Sequence, residues 1–181
     1  DGTNDGTGPS VRTSLSVDLD DALSLSAWVN VANTTSSSYN IFGAMTSATD
    51  YFMILPRVNM AGVNLQHRAN PPAGNSKSTT PSQNITANTW THIAMSKASG
   101  SNVKIYQNGV KITDESLSYT GYTPAELYIG GTSNGNNSFN GILDEIRVYD
   151  HALSASEVSA LAAGGGAGAP EPAETFAFWA C

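Results

Sequence analysis

The sequence predicts an antiparallel all-β fold, a sandwich or jelly roll, with one short helix near its C-terminal end. Three observations carry that expectation. Apolar residues recur at every second position in short runs, as in "LSLSAWVNV" from Leu23 to Val31, which is the period of a strand with one buried face. Clusters of Ser, Asn, Pro and Gly separate these runs, and no helical period lies between them. A single capping box, Ser154 with Glu157, sits in the apolar stripe Leu153, Val158 and Leu161.

In chain order, residues 1–14 are polar and Gly-rich, and the run from Leu23 to Val31 is the first strand. Its Leu23, Leu25, Ala27, Val29 and Val31 share one face; Trp28 interrupts the polar face, so that face must be covered locally as well. Shorter strands are predicted at 39–45, 51–55 and 63–67, followed by a long Ser/Asn/Pro/Gly stretch over 69–82. The segment 90–97 turns at 98–101 into 102–107, and Asn108-Gly109 closes a hairpin onto 110–113. Asn-Gly tolerates the positive φ of a type I′ turn, which makes this a specific local signal. Strands at 125–131 and 139–149 precede the helix, which the glycines at 164–166 stop.

The chain has 181 residues, with a hydrophobic fraction of 40% and a charged fraction of 13%, which suits one domain with a substantial core. Ser, Thr, Asn and Gly must then make much of the polar surface. Eight Lys and Arg against fifteen Asp and Glu give a net charge of −7, so nucleic acid and anionic membranes are poor partners. Cys181 is the only cysteine and excludes an intrachain disulfide. No apolar stretch reaches the length of a membrane span, and no signal peptide is present. A start at Asp1 fits a processed product or an excised domain. Residues 1–163 read as one domain, 164–173 as a Gly/Ala/Pro linker and 174–181 as an apolar aromatic tail.

The succession "LSLSAWV", "NTWTHIAMS", "VKIYQNGV", "LYIGG" and "FNGILDEIRVYDHALSASEV" resembles the laminin-G-like domains, relatives of concanavalin A-like lectins and glucanases and of pentraxins. The resembling residues are Trp28 in an early strand, Trp90 to Ala94 mid-domain, the Asn-Gly hairpin, and a Gly-x-Leu-Asp-Glu strand leading into a capped helix. "NDGTG" at 4–8 is similar to the family's usual start, Leu143 departs from its usual Ile or Phe, and the tail has no counterpart. The resemblance covers residues 4–162 and implies a two-sheet antiparallel jelly roll. It further implies a mostly non-catalytic recognition or adhesion module on extracellular or cell- or particle-surface proteins, often with one bound calcium. Its partners range over glycans, proteins and lipids.

Adjacent Asp144 and Glu145 pose the question of chemistry. Strict alternation places Asp144 with Ile142, Ile146 and Val148 on one face and Glu145 with Leu143, Arg147 and Tyr149 on the other. Neighbours on opposite faces cannot converge on one bond, and the alternating Glu-x-Asp face of related glycosidases is absent, so the chain reads as no enzyme. A carboxylate on an apolar face needs a partner. It is either a structural calcium, as the resemblance implies, or loop N–H groups. Glu145 is expected to pair with Arg147 at the surface. Asp18 and Asp20 form a second candidate oxygen-ligand pair, weighed against a solvated turn. "DGTNDG" half-matches a calcium loop, but Arg12 stands where a bidentate Glu is required.

His92 reads as a packed, hydrogen-bonded strand residue, and neither His67 nor His151 has zinc spacing. Tyr51, Tyr119 and Tyr122 are the candidate glycan-contacting aromatics, although tyrosine is also common at strand ends for packing reasons. In the tail, Phe176, Phe178 and Trp179 form a sticky segment that would fold back on its own domain, add a strand to a neighbouring subunit, or begin a longer hydrophobic segment. The expected function is therefore recognition or adhesion toward a glycan or a cell-surface protein. The alternative is a structural subunit of an extracellular filament or virus-like shell, a homo-oligomer held through the tail.

Overall fold

The computed structural model describes residues 11–13, 15, 21–32, 41–45, 51–59, 62–69, 77–79, 84–100, 102–115, 126–131 and 139–164. Among these, the strands are β1 (Val11–Arg12), β2 (Leu23–Val31), β3 (Phe42–Met45), β4 (Tyr51–Asn59), β5 (Gly62–Ala69), β6 (Lys77–Thr79), β7 (Asn84–Ile85), β8 (Trp90–Lys97), β9 (Val103–Gln107), β10 (Val110–Glu115), β11 (Glu126–Ile129) and β12 (Gly141–Tyr149), and the helix is α1 (Ala155–Ala162). One sheet runs β1-β11-β3-β4-β5-β6, with β7 also on β5, and the other runs β10-β9-β8-β2-β12. Every pairing is antiparallel. This is the predicted two-sheet antiparallel jelly roll.

The core follows from parity. Leu23, Leu25, Ala27, Val29 and Val31 of β2 point inward with Ile93 and Met95 of β8 and Val103 and Ile105 of β9. Ile41, Phe42, Ile85, Leu127 and Ile129 meet them from the facing sheet. Each large side chain removed from water contributes about 1.5–3 kcal/mol before ordering costs.

The strands depart from expectation where the local signal is short or ambiguous. β1, β6 and β7 hold two or three residues each, too few to show a period, and β6 and β7 are paired on β5. β4 runs through Pro56, where the sequence suggested a stop. β3 ends opposite Ile54, so beyond it β4 is bordered, among the described residues, by β5 alone, and proline is tolerated at such edge positions. The hairpin at Asn108-Gly109 is as predicted, with φ of 50° and 78° at the two turn residues.

β12 corrects the reading of the two carboxylates. Asp144 is the partner of Trp28, but Arg147 and not Ile146 is the partner of Ser26, so β12 carries one extra residue. Glu145 takes up that residue with φ of 47°, a left-handed conformation rare for a side chain of this kind. The bulge switches parity. Leu143 before it and Ile146 and Val148 after it all pack on the core, and Asp144 stands exposed on the outer face. The Asp144 carboxylate accepts the Glu145 N–H at 2.8 Å, which holds the bulge from within. Asp144 is therefore not a carboxylate buried among isoleucines, and its neighbour Ile142 is 60% exposed.

The helix closes half of the outer face of the five-stranded sheet. Ala94, Tyr106 and Tyr149 project from that face and form a second cluster with Leu153, Val158 and Leu161. Two buried serines that are direct partners across β2 and β8 fasten it. The Ser24 hydroxyl donates to the His151 carbonyl at 2.8 Å and accepts the Leu153 N–H at 2.9 Å, and the Ser96 hydroxyl donates to the Leu153 carbonyl at 2.7 Å. The capping box forms as predicted, with the Ser154 N–H donating to Glu157 at 2.7 Å and the Glu157 N–H donating to Ser154 at 3.3 Å. The backbone N–H and then the hydroxyl of Ser154 hold the Glu157 carboxyl below its usual range. A side chain at Gly109 would meet the Ser159 Cα at 3.0 Å, so the glycine of the hairpin also sets how closely the helix approaches.

Two stability outcomes follow. Gly141 begins β12 with φ of 151°, and a Cβ there would collide with the Asn30 carbonyl oxygen. Gly141→Ala should lower the unfolding free energy by about 2 kcal/mol or more in denaturant titrations. Ser24→Ala removes the partner of a buried N–H and should cost about 1–3 kcal/mol. Loss of helical ellipticity at lower temperature than loss of the sheet signal would show the helix releasing first.

Candidate functional site

The registers of β2, β8 and β12 lay out the outer face as rows of side chains. In the first row Asn30 lies between Trp90 and Ile142; in the second Trp28 lies between His92 and Asp144. In the third Ser26 lies between Ala94 and Arg147, and in the fourth Ser24 lies between Ser96 and Tyr149. Neighbouring strands are about 4.8 Å apart, and alternate residues of one strand about 6.8 Å apart. The helix covers the cluster built on Ala94 and Tyr149 in the last two rows. In the first two rows Trp90 is 42% and Ile142 60% exposed, and Trp28 and Asn30 are half-buried. The result is a platform of two indoles and an isoleucine, with an amide, two carboxylates and a guanidinium set among and beside them.

Its second row rests on a buried ring. His92 is buried, with its ring 5.5 Å from that of Trp28 in an edge-on arrangement at 62°. Its backbone N–H donates to the Asn108 side-chain carbonyl at 2.9 Å, and its own carbonyl accepts the Asn108 N–H at 2.8 Å, which ties the hairpin turn to the platform. His92 is thus packed and hydrogen-bonded through its backbone, as expected, while its ring Nδ1 has no partner among the described residues. Burial and then the positive charge of Arg147 push the His92 pKa down to about 4, so the imidazole is neutral at physiological pH. The Arg147 guanidinium is itself paired with Glu145 at 3.1 Å, the surface pair predicted from sequence.

The structure brings together some of the predicted site residues and not others. Asp144 stands exposed on the platform, where its carboxylate accepts the Glu145 N–H. Among the described residues no group of three or more His, Cys, Asp or Glu lies together. Calcium takes six to eight oxygen ligands, backbone carbonyls among them, and residues 1–10 at the chain start lie outside the described residues. Asp18, Asp20, Tyr119, Tyr122, Phe176, Phe178 and Trp179 lie outside the described residues. Tyr51 begins β4 in the other sheet, as the partner of Met45. Asn30 and Ile142 were not singled out from sequence, and Trp90 only for the resemblance, because only the pairing of β2 with both β8 and β12 makes them neighbours. The available signal was Trp28 on the polar side of an alternating strand.

The family profile of the concanavalin A-like lectin/glucanases superfamily, in its third laminin G form, matches residues 5–159. No curated protein matches the chain. Among solved structures, the native heptameric SAP-like pentraxin of Limulus polyphemus superposes with a TM-score of 0.67 at 21% identity, over 89% of this chain and 78% of the pentraxin. Domain 4 of an extracellular arabinanase from Geobacillus stearothermophilus, in complex with arabinotriose, gives 0.62 at 22% identity, over 86% of this chain and 82% of that domain. The carbohydrate-binding module of a Ruminococcus gnavus sialidase, bound to α2,3-sialyllactose, gives 0.63 at 14% identity, over 86% of this chain and 97% of the module. At these identities the likeness is one of fold. With its fold, its order of motifs and the extent of the profile match in agreement, the chain belongs to the laminin-G-like group of the concanavalin A-like lectin/glucanases superfamily.

Proposed function

We propose that the domain is a non-catalytic, extracellular glycan-recognition module whose contact surface is the open half of the five-stranded sheet. The observation that carries this reading is the exposed Trp90 beside Trp28, with Asn30 and Asp144 in the same two rows. A sugar ring has an apolar C–H face and a rim of hydroxyls. Indoles take the face, and amides and carboxylates take the rim. Structures of the same fold bound to arabinotriose and sialyllactose support a glycan as the ligand class. Engagement of Asp144 with the Glu145 N–H, and of Glu145 with Arg147, supports a frame that performs no acid/base step. The family also contains glucanases, so activity is a matter for measurement.

Binding to a glycan panel is the direct test. Trp90→Ala should weaken the best ligand about tenfold, or 1.4 kcal/mol, with the melting curve intact. Binding that survives Trp90→Ala and Ile142→Ala but is lost on Tyr51→Ala would move the site to the other sheet. Incubation with the same panel should release no reducing ends; release abolished by Glu145→Ala would make the domain an enzyme.

Two further outcomes separate the roles of Asp144 and His92. Asp144→Asn should shift stability by no more than about 0.5 kcal/mol, equally with and without a calcium chelator. A chelator effect lost only in that variant would place calcium at Asp144. The unfolded chain protonates His92 near 6.5, whereas the folded protein resists until about pH 4. Stability from this group is therefore full above pH 6.5 and falls as pH drops toward 4, by about 3 kcal/mol in all. Denaturation midpoints across that window should show the slope, and His92→Gln should remove it.

A further inference from the structure

The helix ends beside the platform. Ser159 and Ala162 lie against Gly109, as a Cβ built there shows, and Gly109 follows Asn108, which is bonded to His92 through two hydrogen bonds. The chain thus leaves the helix at Gly164 within one hairpin turn of the row that holds His92 and Trp28. The linker 164–173 follows, and then Phe176, Phe178 and Trp179. A Gly-rich linker of this length spans about 17 Å on average. The platform measures about 10 Å from β8 to β12, two strand spacings. The platform is therefore within reach of its own chain.

Strand addition at a sheet edge is the other way for such a segment to dock, and the two edges this sheet has among the described residues, β12 and β10, oppose it. β12 is bulged between Asp144 and Arg147, and β10 is irregular between Lys111 and Thr113. Interrupted ladders of this kind disfavour edge pairing. The open face has no such obstacle. It offers Trp90 and Ile142 to solvent next to Trp28, an apolar surface on which aromatic side chains can settle.

We propose that residues 174–181 dock through Phe176, Phe178 and Trp179 on the platform of their own chain and compete there with an external ligand, an inference that rests on the platform being the ligand face. The short tether favours self-docking, because it holds the segment at an effective concentration of about a millimolar.

Cys181 is the only cysteine and takes a nitroxide label without further substitution. In the full chain with 15N-labelled tryptophan, the label should broaden the indole N–H signals of Trp28 and Trp90. Replacing Phe176, Phe178 and Trp179 together by Ala should restore both signals. A mixture of nitroxide-labelled unenriched chain with 15N-labelled unmodified chain should show no broadening. Broadening in that mixture would assign the platform to a second copy, and no broadening in any sample would leave it unoccupied by the segment; either result overturns the proposal. The triple-alanine chain should bind its best glycan about tenfold more tightly than the parent if the segment covers the platform nine-tenths of the time. Equal binding by the two chains, with no broadening, removes the docking and leaves glycan recognition standing. Broadening with no glycan bound by either chain does the reverse.

Discussion

One inserted residue in β12 organises the outer half of this domain. Glu145, held left-handed between Asp144 and Ile146, changes which side of the strand faces the core. Without it, inward Leu143 would put Ile146 and Val148 outward, and the sandwich would lose two core side chains along the edge of the sheet. With it, three apolar residues reach the core, while Asp144, Arg147 and Tyr149 project from the other side. Tyr149 then lies beneath the helix, and Asp144 completes the row of Trp28. Helix seat and platform thus depend on the same irregularity. Its left-handed backbone costs of order 1–2 kcal/mol, and the Asp144 carboxylate that accepts the Glu145 N–H offsets part of that.

The outer face is divided by two kinds of interaction. Serine hydroxyls at the end near the helix leave no room for large side chains and instead bind the backbone of 151–153, which brings the helix down onto the sheet. Large aromatic side chains at the other end stand too high for such an approach and stay in contact with solvent. A small polar residue at one end of β2 and a tryptophan nearer the other therefore decide where the helix sits and where the sheet stays in contact with solvent.

What could be read from sequence was what depends on a few adjacent residues. The Asn108-Gly109 turn, the Ser154–Glu157 box and the alternation of β2 are local, and all three are as expected. The bulge was missed because Ile142, Leu143, Ile146 and Val148 offer apolar residues to either parity. The gap of three between Leu143 and Ile146 was the only sign that the period breaks. Strands of two or three residues have no period to detect, so β1, β6 and β7 follow from the sheet that recruits them. The platform is non-local in the same sense: Asn30, Trp90 and Ile142 are distant in the chain, and only two strand pairings make them adjacent.

The seating of the helix also gives the remaining surface a direction. The covered rows block travel along β2 and β8 toward the helix, whereas the way across β2, from Trp90 to Ile142 and from Trp28 to Asp144, carries side chains that reach solvent. An elongated molecule lying on the indoles would therefore run crosswise to the strands, its width limited to two rows, about 7 Å. Because every strand under it is held in a hydrogen-bonded ladder, the track needs little ordering when something settles on it. Selection on such a surface acts on the shape and heading of a chain as much as on the identity of its units.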